Sequence, residues 1–410
     1  MADTPPIRPA ARFGFAYDPF GNGRTAIRGG FGMFYDTLST YAYGGLSTQY
    51  PILTTLTMNY DTIANLTNAP GLIYPSDVVG LNRRLQLPLT MDTSLSIQRE
   101  LGFGTVLDIG YVGTLGRHLM WRRSISNIPL GANFDPKNAD PTNTRVPLPS
   151  AFLRPYVGYN NINMIETAAS SHYNSLQVSV NRRFTNNVQF GANWTWSKAM
   201  GFNDDENVVI DALMPVRSDY GLASFDRTHA FKFNWVYDLP SPFRMAPAKI
   251  ALNGWQLSGI LSLVSGAPAA VSFTTTNGVD ITGTASQSPR PDVVGNPVLP
   301  KGDRTFYKNF DPTVFRLPAV GAFGNEGKFV MRGPGINNWD ISLIKNFPIR
   351  ERIKAQFRCE AYNALNHSQF SAMDTVARFD ATGKQVNLNL GSFTVARPPR
   401  VMQFLLRATF

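Results

Sequence analysis

The four histidines of the chain are the first side chains to test for a catalytic or metal-binding role. His118, His172, His229 and His367 are each separated from the next by more than fifty residues. A zinc protease uses two histidines four positions apart on one helix face, and no such pair occurs here. The sequence therefore predicts no histidine-based catalytic site and no metal centre, and it places these side chains in loops or at strand ends.

Cys359 is the only cysteine of the chain. A single thiol excludes an internal disulfide framework, and it also excludes a metal site built from several cysteines. An oxidising compartment is compatible with this cysteine but is not required by it.

Two glycine-containing segments have a partial likeness to nucleotide-binding motifs. Residues Gly321 to Lys328 have the wrong spacing for a P-loop, and a phenylalanine follows the lysine. Gly102 and Gly104 lie between two strand-like segments, which is the position of a tight hairpin turn rather than of a dinucleotide-binding loop. The sequence thus predicts no catalytic residue and no cofactor, and we do not expect an enzyme.

Two groups of charged residues are candidate binding features. Segment 203–207, Asn-Asp-Asp-Glu-Asn, offers the carboxylates that Ca²⁺ prefers, but it lacks the regular spacing of an EF-hand. A solvated loop is the favoured interpretation, and calcium binding is the alternative. One face of the predicted strand 353–361 carries the charged residues Lys354, Arg358 and Glu360. If this face lines the inside of a barrel, its charges can hold a plug or tune a ligand path. The ligand-binding residues themselves remain unassigned.

The composition of the 410-residue chain indicates an all-β protein whose surface does not face water throughout. Charged residues make up 16% and aromatic residues 12%, with 34 glycines and 29 prolines; soluble proteins typically have roughly 25% charged residues. No run of about 18 apolar residues exists, which excludes transmembrane helices. The net charge of +10 is scattered along the chain, which argues against nucleic-acid binding and favours either a solvated surface or contact with anionic lipid head groups.

Strict alternation of apolar and polar residues is the main structural signal. Segments 174–181 and 188–197 each present one apolar and one uncharged polar face, and Asn186 and Asn187 between them suit a tight turn. The same pattern predicts about eleven strands, most of ten to thirteen residues. Their alternating parts are 13–17, 27–35, 90–100, 107–111, 174–181, 188–197, 231–239, 255–263, 339–343, 353–361 and 402–410.

The predicted connections alternate between short turns and long loops. The short turns are near residues 20, 102, 185, 246 and 349, and the long loops cover 37–89, 116–171, 199–226, 267–336 and 365–398. A tilted strand of about ten residues spans a bilayer, and outer-membrane barrels have short turns on the periplasmic side and long extracellular loops. A strand-like stretch within 46–58 is assigned to the first long loop, with an extra strand as the alternative.

Four segments carry a family likeness, namely 12–36, 173–184, 225–231 and 360–370. They resemble the barrel of TonB-dependent outer-membrane receptors, especially the Oar-like, carboxypeptidase-regulatory-like group, and the resemblance covers nearly the whole chain. It implies an antiparallel transmembrane β-barrel of 22 strands with an N-terminal plug that contacts TonB. Phe410, at the end of an alternating last strand, resembles the signal that the barrel-assembly machinery recognises.

The resemblance implies that residues 1–410 form one domain, the C-terminal half of such a barrel. About eleven strands are predicted, without a plug or TonB-contacting segment, and the N-terminus lacks the apolar core of a signal peptide. An odd strand number agrees, because a complete barrel of this type has an even number. We therefore expect the barrel portion of a Gram-negative outer-membrane receptor that takes up an unidentified ligand. Its expected partners are outer-membrane lipid, the barrel-assembly machinery and, through the absent plug, the TonB system. The alternative functions are those of a plug-free porin, an outer-membrane barrel enzyme and a soluble β-rich module.

Overall fold

A computed structural model describes residues 7–37, 46, 76–202, 204–205, 209–211, 216–284, 288–348 and 354–409. Regular structure in these residues is almost entirely β-strand, and none of their helices is long and apolar enough to cross a membrane. The eleven principal strands are β1 Arg12–Tyr17, β2 Thr25–Tyr35, β3 Leu89–Gly102, β4 Thr105–Ser124, β5 Tyr159–Thr185, β6 Val188–Gly201, β7 His229–Asp238, β8 Trp255–Val264, β9 Ile336–Pro348, β10 Lys354–Tyr362 and β11 Val401–Thr409.

These strands form one sheet in chain order. Each strand from β1 to β10 pairs with the next one, and every one of these pairings is antiparallel. Each of the eleven predicted strands overlaps one of them, so the predicted all-β fold and strand order are confirmed. Among the eleven principal strands of the described residues, each pairs only with its neighbours in the chain, which is the arrangement of an up-and-down barrel wall.

The register of the sheet sorts side chains onto two faces. One row across β2 to β8 is entirely apolar and consists of Ile27, Ile97, Ile109, Val178, Trp194, Phe231 and Leu263. The adjacent row across β3 to β8 is polar and consists of Gln98, Asp108, Ser179, Asn193, Lys232 and Ser262. We call the corresponding surfaces the apolar face and the polar face, and the alternation between them is that of a lipid-facing barrel wall.

Side chains of the polar face are hydrogen-bonded to one another. The Ser179 hydroxyl donates to Asn193 Oδ1 at 2.8 Å, and the Thr114 hydroxyl donates to Asp92 Oδ1 at 2.8 Å. Both contacts cross from one strand to its neighbour, so they support the pairing register as well as satisfying polar groups. The polar face is thus suited to line a wet interior.

Aromatic rings on the apolar face lie flat over glycines. A Cβ atom on Gly259 would lie 2.5 Å from the Trp235 ring, and one on Gly113 would lie 2.5 Å from the Tyr111 hydroxyl. Each glycine therefore provides the space that its neighbouring ring occupies. A larger residue at either glycine would force the neighbouring ring to move.

Short connections join the strands at one end of the sheet, which we call the inner end, and long loops join them at the other, outer end. The short connections are 18–24, 103–104, 186–187 and 239–254, and the last of them contains helix α2, Ala246–Leu252. Gly102 and Gly104 have φ angles of 89° and 67°, and Asn186 and Asn187 have φ angles of 51° and 65°. These positive values confirm the two tight turns that the sequence predicts, because glycine and asparagine tolerate this conformation.

The outer ends are joined by five long loops, L1 (36–88), L2 (125–158), L3 (202–228), L4 (265–335) and L5 (363–400). The described residues of these loops contain helix α1, Ser150–Leu153, and thirteen short strands. These strands are Ser76–Leu81, Ala139–Asp140, Asn143–Pro147, Val209–Asp211, Gly221–Leu222, Pro268–Ala269, Ser272–Thr275, Asp292–Val293, Phe315–Arg316, Met331–Arg332, Phe370–Met373, Val376–Phe379 and Phe393–Ala396. Of the predicted extra strand at 46–58, only residue 46 is described.

The sheet has two free edges within the described residues. β1 pairs only with β2, and β11 pairs only with β10. Side chains on both edge strands are largely exposed, with 67% for Phe13, 62% for Phe404 and 77% for Leu406. Both edges thus present apolar side chains and one row of unpaired backbone groups.

Candidate functional site: a folded layer over the outer strand ends

β4 and β5 extend far beyond the length that a bilayer requires. They have 20 and 27 residues, whereas about ten tilted residues span the apolar core. A β-bulge lies between Gly116 and Leu119, where His118 has a φ angle of 53°. The predicted loop at 116–171 is therefore wrong for residues 116–124 and 159–171. Those segments pair with each other, and neither 117–128 nor 159–185 contains a glycine or proline to interrupt them.

Two loop strands widen this projecting hairpin into a four-stranded platform. Ser76–Leu81 of L1 pairs in parallel with β5, and Val209–Asp211 of L3 pairs in parallel with β4. Buried apolar side chains lie beneath both additions, including Met120 with Ile165 and Trp121 with Ala169 and Ile210. The outer ends of the strands therefore have a hydrophobic core of their own.

An ion pair fixes the platform. Arg123 donates from Nη2 to Glu166 Oε1 at 2.7 Å and from Nε to Oε2 at 2.9 Å, and the Trp121 indole also donates to Oε2. The hydrogen bonds from Arg123 are the main reason why the pKa of Glu166 lies below its ordinary value. A carboxylate held in its charged form by two partners acts as a structural anchor rather than as a proton acceptor.

L4 and L5 share the largest hydrophobic core of the described residues. Ser272–Thr275 of L4 pairs in parallel with Val376–Phe379 of L5. The buried side chains of this core are Val271, Phe310, Phe315, Met331, Ala377, Phe379 and Leu390. We call the L4 and L5 segments that share this core the lid, because they form one packed unit.

L2 attaches to the lid through hydrogen bonds. The backbone N–H of Gly131 donates to Thr282 O at 2.8 Å, and that of Asn133 donates to Gly283 O at 2.8 Å. The Asn133 side chain also donates to Asp280 Oδ2 at 2.8 Å. L2, L4 and L5 therefore belong to one continuous outer layer.

L3 attaches to L4 through ion pairs. The three pairs are Asp204 with Lys328 at 3.2 Å, Asp219 with Arg290, and Asp226 with Arg332. In each pair the carboxylate belongs to L3 and the cation belongs to L4. We call these six residues the L3–L4 seam.

A carboxyl group is buried inside L4. Glu326 is only 2% exposed, and its Oε1 accepts a hydrogen bond from the backbone N–H of Val271 at 2.8 Å. Burial raises its pKa to about 7, against the lowering effects of that hydrogen bond and of nearby Arg290. The protonation state of Glu326 therefore changes within the physiological pH range.

Two cavities lie between this layer and the strand ends. The first, of about 510 Å³, lies at the outer end of the polar face; its lining includes Asp36, Thr114, His172, Asp204 and Phe225. The second, of about 430 Å³, lies between L4, L5 and the start of β9. Its lining includes Arg304, Arg332, His367, Gln369 and the stacked rings of Phe370 and Phe393. Both could hold a small molecule that combines polar and apolar groups.

The structure keeps the four histidines apart. His118 lies at the bulge, His172 hydrogen-bonds the Tyr220 hydroxyl at 2.7 Å, and His229 stacks on Trp194. His367 lines the second cavity, where its Nε2 atom has no hydrogen-bond partner among the described residues. Across the described residues no three His, Cys, Asp or Glu side chains are placed to hold a metal ion.

Three of the other residues singled out from the sequence, Lys328, Arg358 and Glu360, take part in ion pairs. Lys328, at the end of the P-loop-like segment, forms its ion pair with Asp204 at 3.2 Å. Arg358 pairs with Glu360 at 3.3 Å on the polar face. Asn203, Glu206 and Asn207 lie outside the described residues, so calcium binding by that loop stays a prediction. Phe410 also lies outside them, and its role in assembly stays a prediction.

Sequence reasoning missed the platform and the seam. The absence of glycine and proline from 159–185 was an available signal for a longer strand. No comparable signal marks the seam, because its acidic and basic members are up to 124 residues apart in sequence.

Comparison with known proteins identifies the class of the molecule. Residues 7–403 match the family described as outer membrane beta barrel domain. The chain belongs to this family, and it is a protein of the bacterial outer membrane. A search of curated proteins finds no match.

Several solved structures of outer-membrane transporters are similar in fold. The outer membrane transporter YddB from Escherichia coli is 10% identical with a TM-score of 0.47, over 96% of this chain and 39% of that one. The FrpB iron transporter from Neisseria meningitidis is 10% identical with a TM-score of 0.42, over 97% and 39%. BauA, the ferric preacinetobactin receptor from Acinetobacter baumannii, is 11% identical with a TM-score of 0.41, over 97% and 36%. This chain thus spans less than two fifths of each of these proteins.

Proposed function

We propose that this chain is the barrel portion of an outer-membrane receptor that takes up a ligand with energy supplied through TonB. The observation that carries the proposal is the folded outer layer, whose cavity of about 510 Å³ lies at the outer end of the polar face. A ligand bound there would be positioned between the external medium and the barrel interior. The resemblance of segments 12–36, 173–184, 225–231 and 360–370 to the Oar-like receptor group supports the coupling to TonB. The proposed function involves no catalysis.

The packed lid argues against the porin alternative. A diffusion pore needs an open path along its polar face, whereas the loops here pack into a layer with a buried aromatic core of its own. Phe310, Phe315 and Phe379 are each at most 1% exposed. Side chains packed to this degree do not move aside in the ordinary thermal motion of a loop.

We also propose that the eleven strands are the C-terminal half of a barrel of about 22 strands. β1 and β11 both run from the outer side to the inner side, because β1 leads into a short turn and β11 follows a long loop. Strands that close a fully antiparallel barrel between two such edges must be odd in number. Eleven further strands satisfy this condition and give the even total that is usual for outer-membrane barrels.

Liposome swelling tests the receptor against the porin. Protein purified from the outer membrane of cells that express its gene is reconstituted into liposomes, which are then diluted into an isotonic monosaccharide solution. A receptor with a closed interior should cause no swelling, whereas a porin should cause rapid swelling. Formaldehyde cross-linking in cells, followed by detection of TonB in the product, then tests the energy coupling. Rapid swelling, together with the absence of a cross-linked product that contains TonB, would contradict the receptor proposal and favour a porin.

A further inference from the structure

The L3–L4 seam has a consistent polarity. All three carboxylates, Asp204, Asp219 and Asp226, are on L3, and all three cations, Lys328, Arg290 and Arg332, are on L4. We propose that the seam is a charge-dependent latch that holds the lid against L3 over the outer strand ends. A latch of this kind opens when one of the charges is reversed or removed, loosens when salt weakens the pairs, and closes again when the charges are restored.

The ion pairs are shielded enough to matter energetically. The Asp226 side chain is fully buried, and those of Asp219 and Lys328 are 13% and 14% exposed. Fully exposed pairs contribute little, since water and salt screen them, whereas partly buried pairs are screened much less. The three pairs together join L3 to L4 at three points.

Each side of the seam is hydrogen-bonded in or next to a barrel strand. Asp226 also accepts a hydrogen bond from the backbone N–H of Ala199 in β6 at 2.6 Å. Arg332 also donates to Gly266 O, just after β8, at 3.1 Å. The seam therefore joins the L3 side of the layer to the L4 side across the rim, and its release would separate structures that are fixed to different strands.

The rest of the lid would move as a unit. All seven buried residues of the lid core belong to L4 and L5, and none belongs to L3. Apolar packing thus holds the lid together, while polar contacts hold it to L3. A body of this kind separates first at its polar contacts, because water can replace their hydrogen bonds but cannot replace apolar packing.

Opening of the latch would change the first cavity. Asp204 and Phe225 of L3 line that cavity, and Asp204 is bound to Lys328 of the lid. Release of the ion pair frees this part of the cavity wall. The inference that the movement admits a ligand rests on the proposed function, whereas the latch itself does not.

Hydrogen–deuterium exchange measured by mass spectrometry tests the latch. The protein is purified in detergent from outer membranes of cells that express its gene, and exchange of L4 peptides within 288–335 is followed at low and high sodium chloride. Asp204→Lys, Lys328→Asp and the reciprocal swap of both residues are compared with the unchanged protein. Lys301→Asp is the matched control, since Lys301 is an exposed L4 residue that forms no ion pair among the described residues. Peptides of β6 report whether the barrel stays intact.

The latch predicts a specific pattern of exchange. Each single reversal should raise hydrogen exchange of L4 about tenfold, and the swap should restore it to within about threefold. High salt should raise it by a smaller factor, because partly buried pairs are screened less than exposed ones, and Lys301→Asp should change nothing. If the Asp204 and Lys328 variants do not reach the membrane, the swap of Asp219 with Arg290 is measured instead. The latch would be overturned if hydrogen exchange of L4 changes with neither salt nor charge reversal. It would also be overturned if neither swap reverses the effect of the single reversals. Because exchange is read without ligand, this result is independent of the receptor proposal.

Discussion

At the scale of single residues, Glu326 couples the outer layer to pH. Its carboxyl group is buried in L4, where burial raises its pKa from an ordinary value of 4.5 to about 7. The folded lid therefore favours the protonated form more strongly than the unfolded chain does. This contribution to stability is fully present below about pH 4.5 and is lost as the pH rises to about 7.

We expect the lid to be more stable at pH 5 than at pH 8, by about 2 kcal/mol, because each pKa unit corresponds to about 1.4 kcal/mol. Hydrogen exchange of L4 peptides, corrected for the intrinsic pH dependence of exchange, measures this difference. Glu326→Gln keeps an acceptor for the Val271 N–H and should abolish the pH dependence. Asp303→Asn, an exposed change in the same loop, should leave it unaltered. A Glu326→Gln protein with the original pH dependence would rule out this residue as its source.

At the scale of elements, the alternation of β5 assigns its side chains to two environments. Leu176 and Val178 pair with Trp196 and Trp194 on the apolar face, whereas Gln177 pairs with Thr195 on the polar face. An arginine near the middle of the lipid-facing surface costs about 2–4 kcal/mol, whereas a lumen-facing arginine is tolerated. The same substitution should therefore have opposite consequences at adjacent positions.

Leu176→Arg and Val178→Arg should sharply reduce the folded fraction in the outer membrane, and Gln177→Arg should not. The three variants differ only in the face that they occupy, so Gln177→Arg is the internal control for the cost of introducing the charge. The fraction that resists unfolding in detergent without heating is the measurement. A similar loss for all three variants would show that the assignment of faces is wrong.

The elements also differ in how far the sequence predicts them. The eleven strands and the tight turns at Gly102–Gly104 and Asn186–Asn187 follow from local patterns, namely a period of two and positive-φ residues. The lid core does not, because Phe315 and Phe379 come from different loops and carry no periodic signal. Burial there depends on long-range packing, which a pattern within one segment does not encode. For the same reason, the sequence alone assigns no cavity-lining residue to a ligand site.

At the scale of the whole molecule, the two free edges decide whether the sheet can be stable by itself. Each unpaired backbone group in hydrocarbon costs several kcal/mol, and both β1 and β11 present such a row among the described residues. Closing eleven strands on themselves would place β1 parallel to β11 in a narrower barrel. Additional strands that pair with the free edges of β1 and β11 would complete the wall. They would leave the register of the existing strand pairs unchanged.

The terminal residue should guide assembly of this wall. Deletion of Phe410 is expected to lower the heat-modifiable, folded fraction in the outer membrane, because a terminal aromatic residue on an alternating strand resembles the assembly signal. Phe410→Trp retains the aromatic character and should assemble almost normally. Assembly that is unchanged by the deletion would contradict the role assigned to Phe410.

Single-channel recording of residues 1–410, produced alone with an added signal sequence, tests the half-barrel most directly. The proposed half-barrel predicts a blank trace, because a sheet with two open edges should aggregate, be degraded or pair with a second copy instead of forming a pore. The oligomeric state of any material that reaches the membrane is determined in parallel by cross-linking. A discrete and reproducible conductance from a monomer would contradict the half-barrel and would favour a self-contained porin.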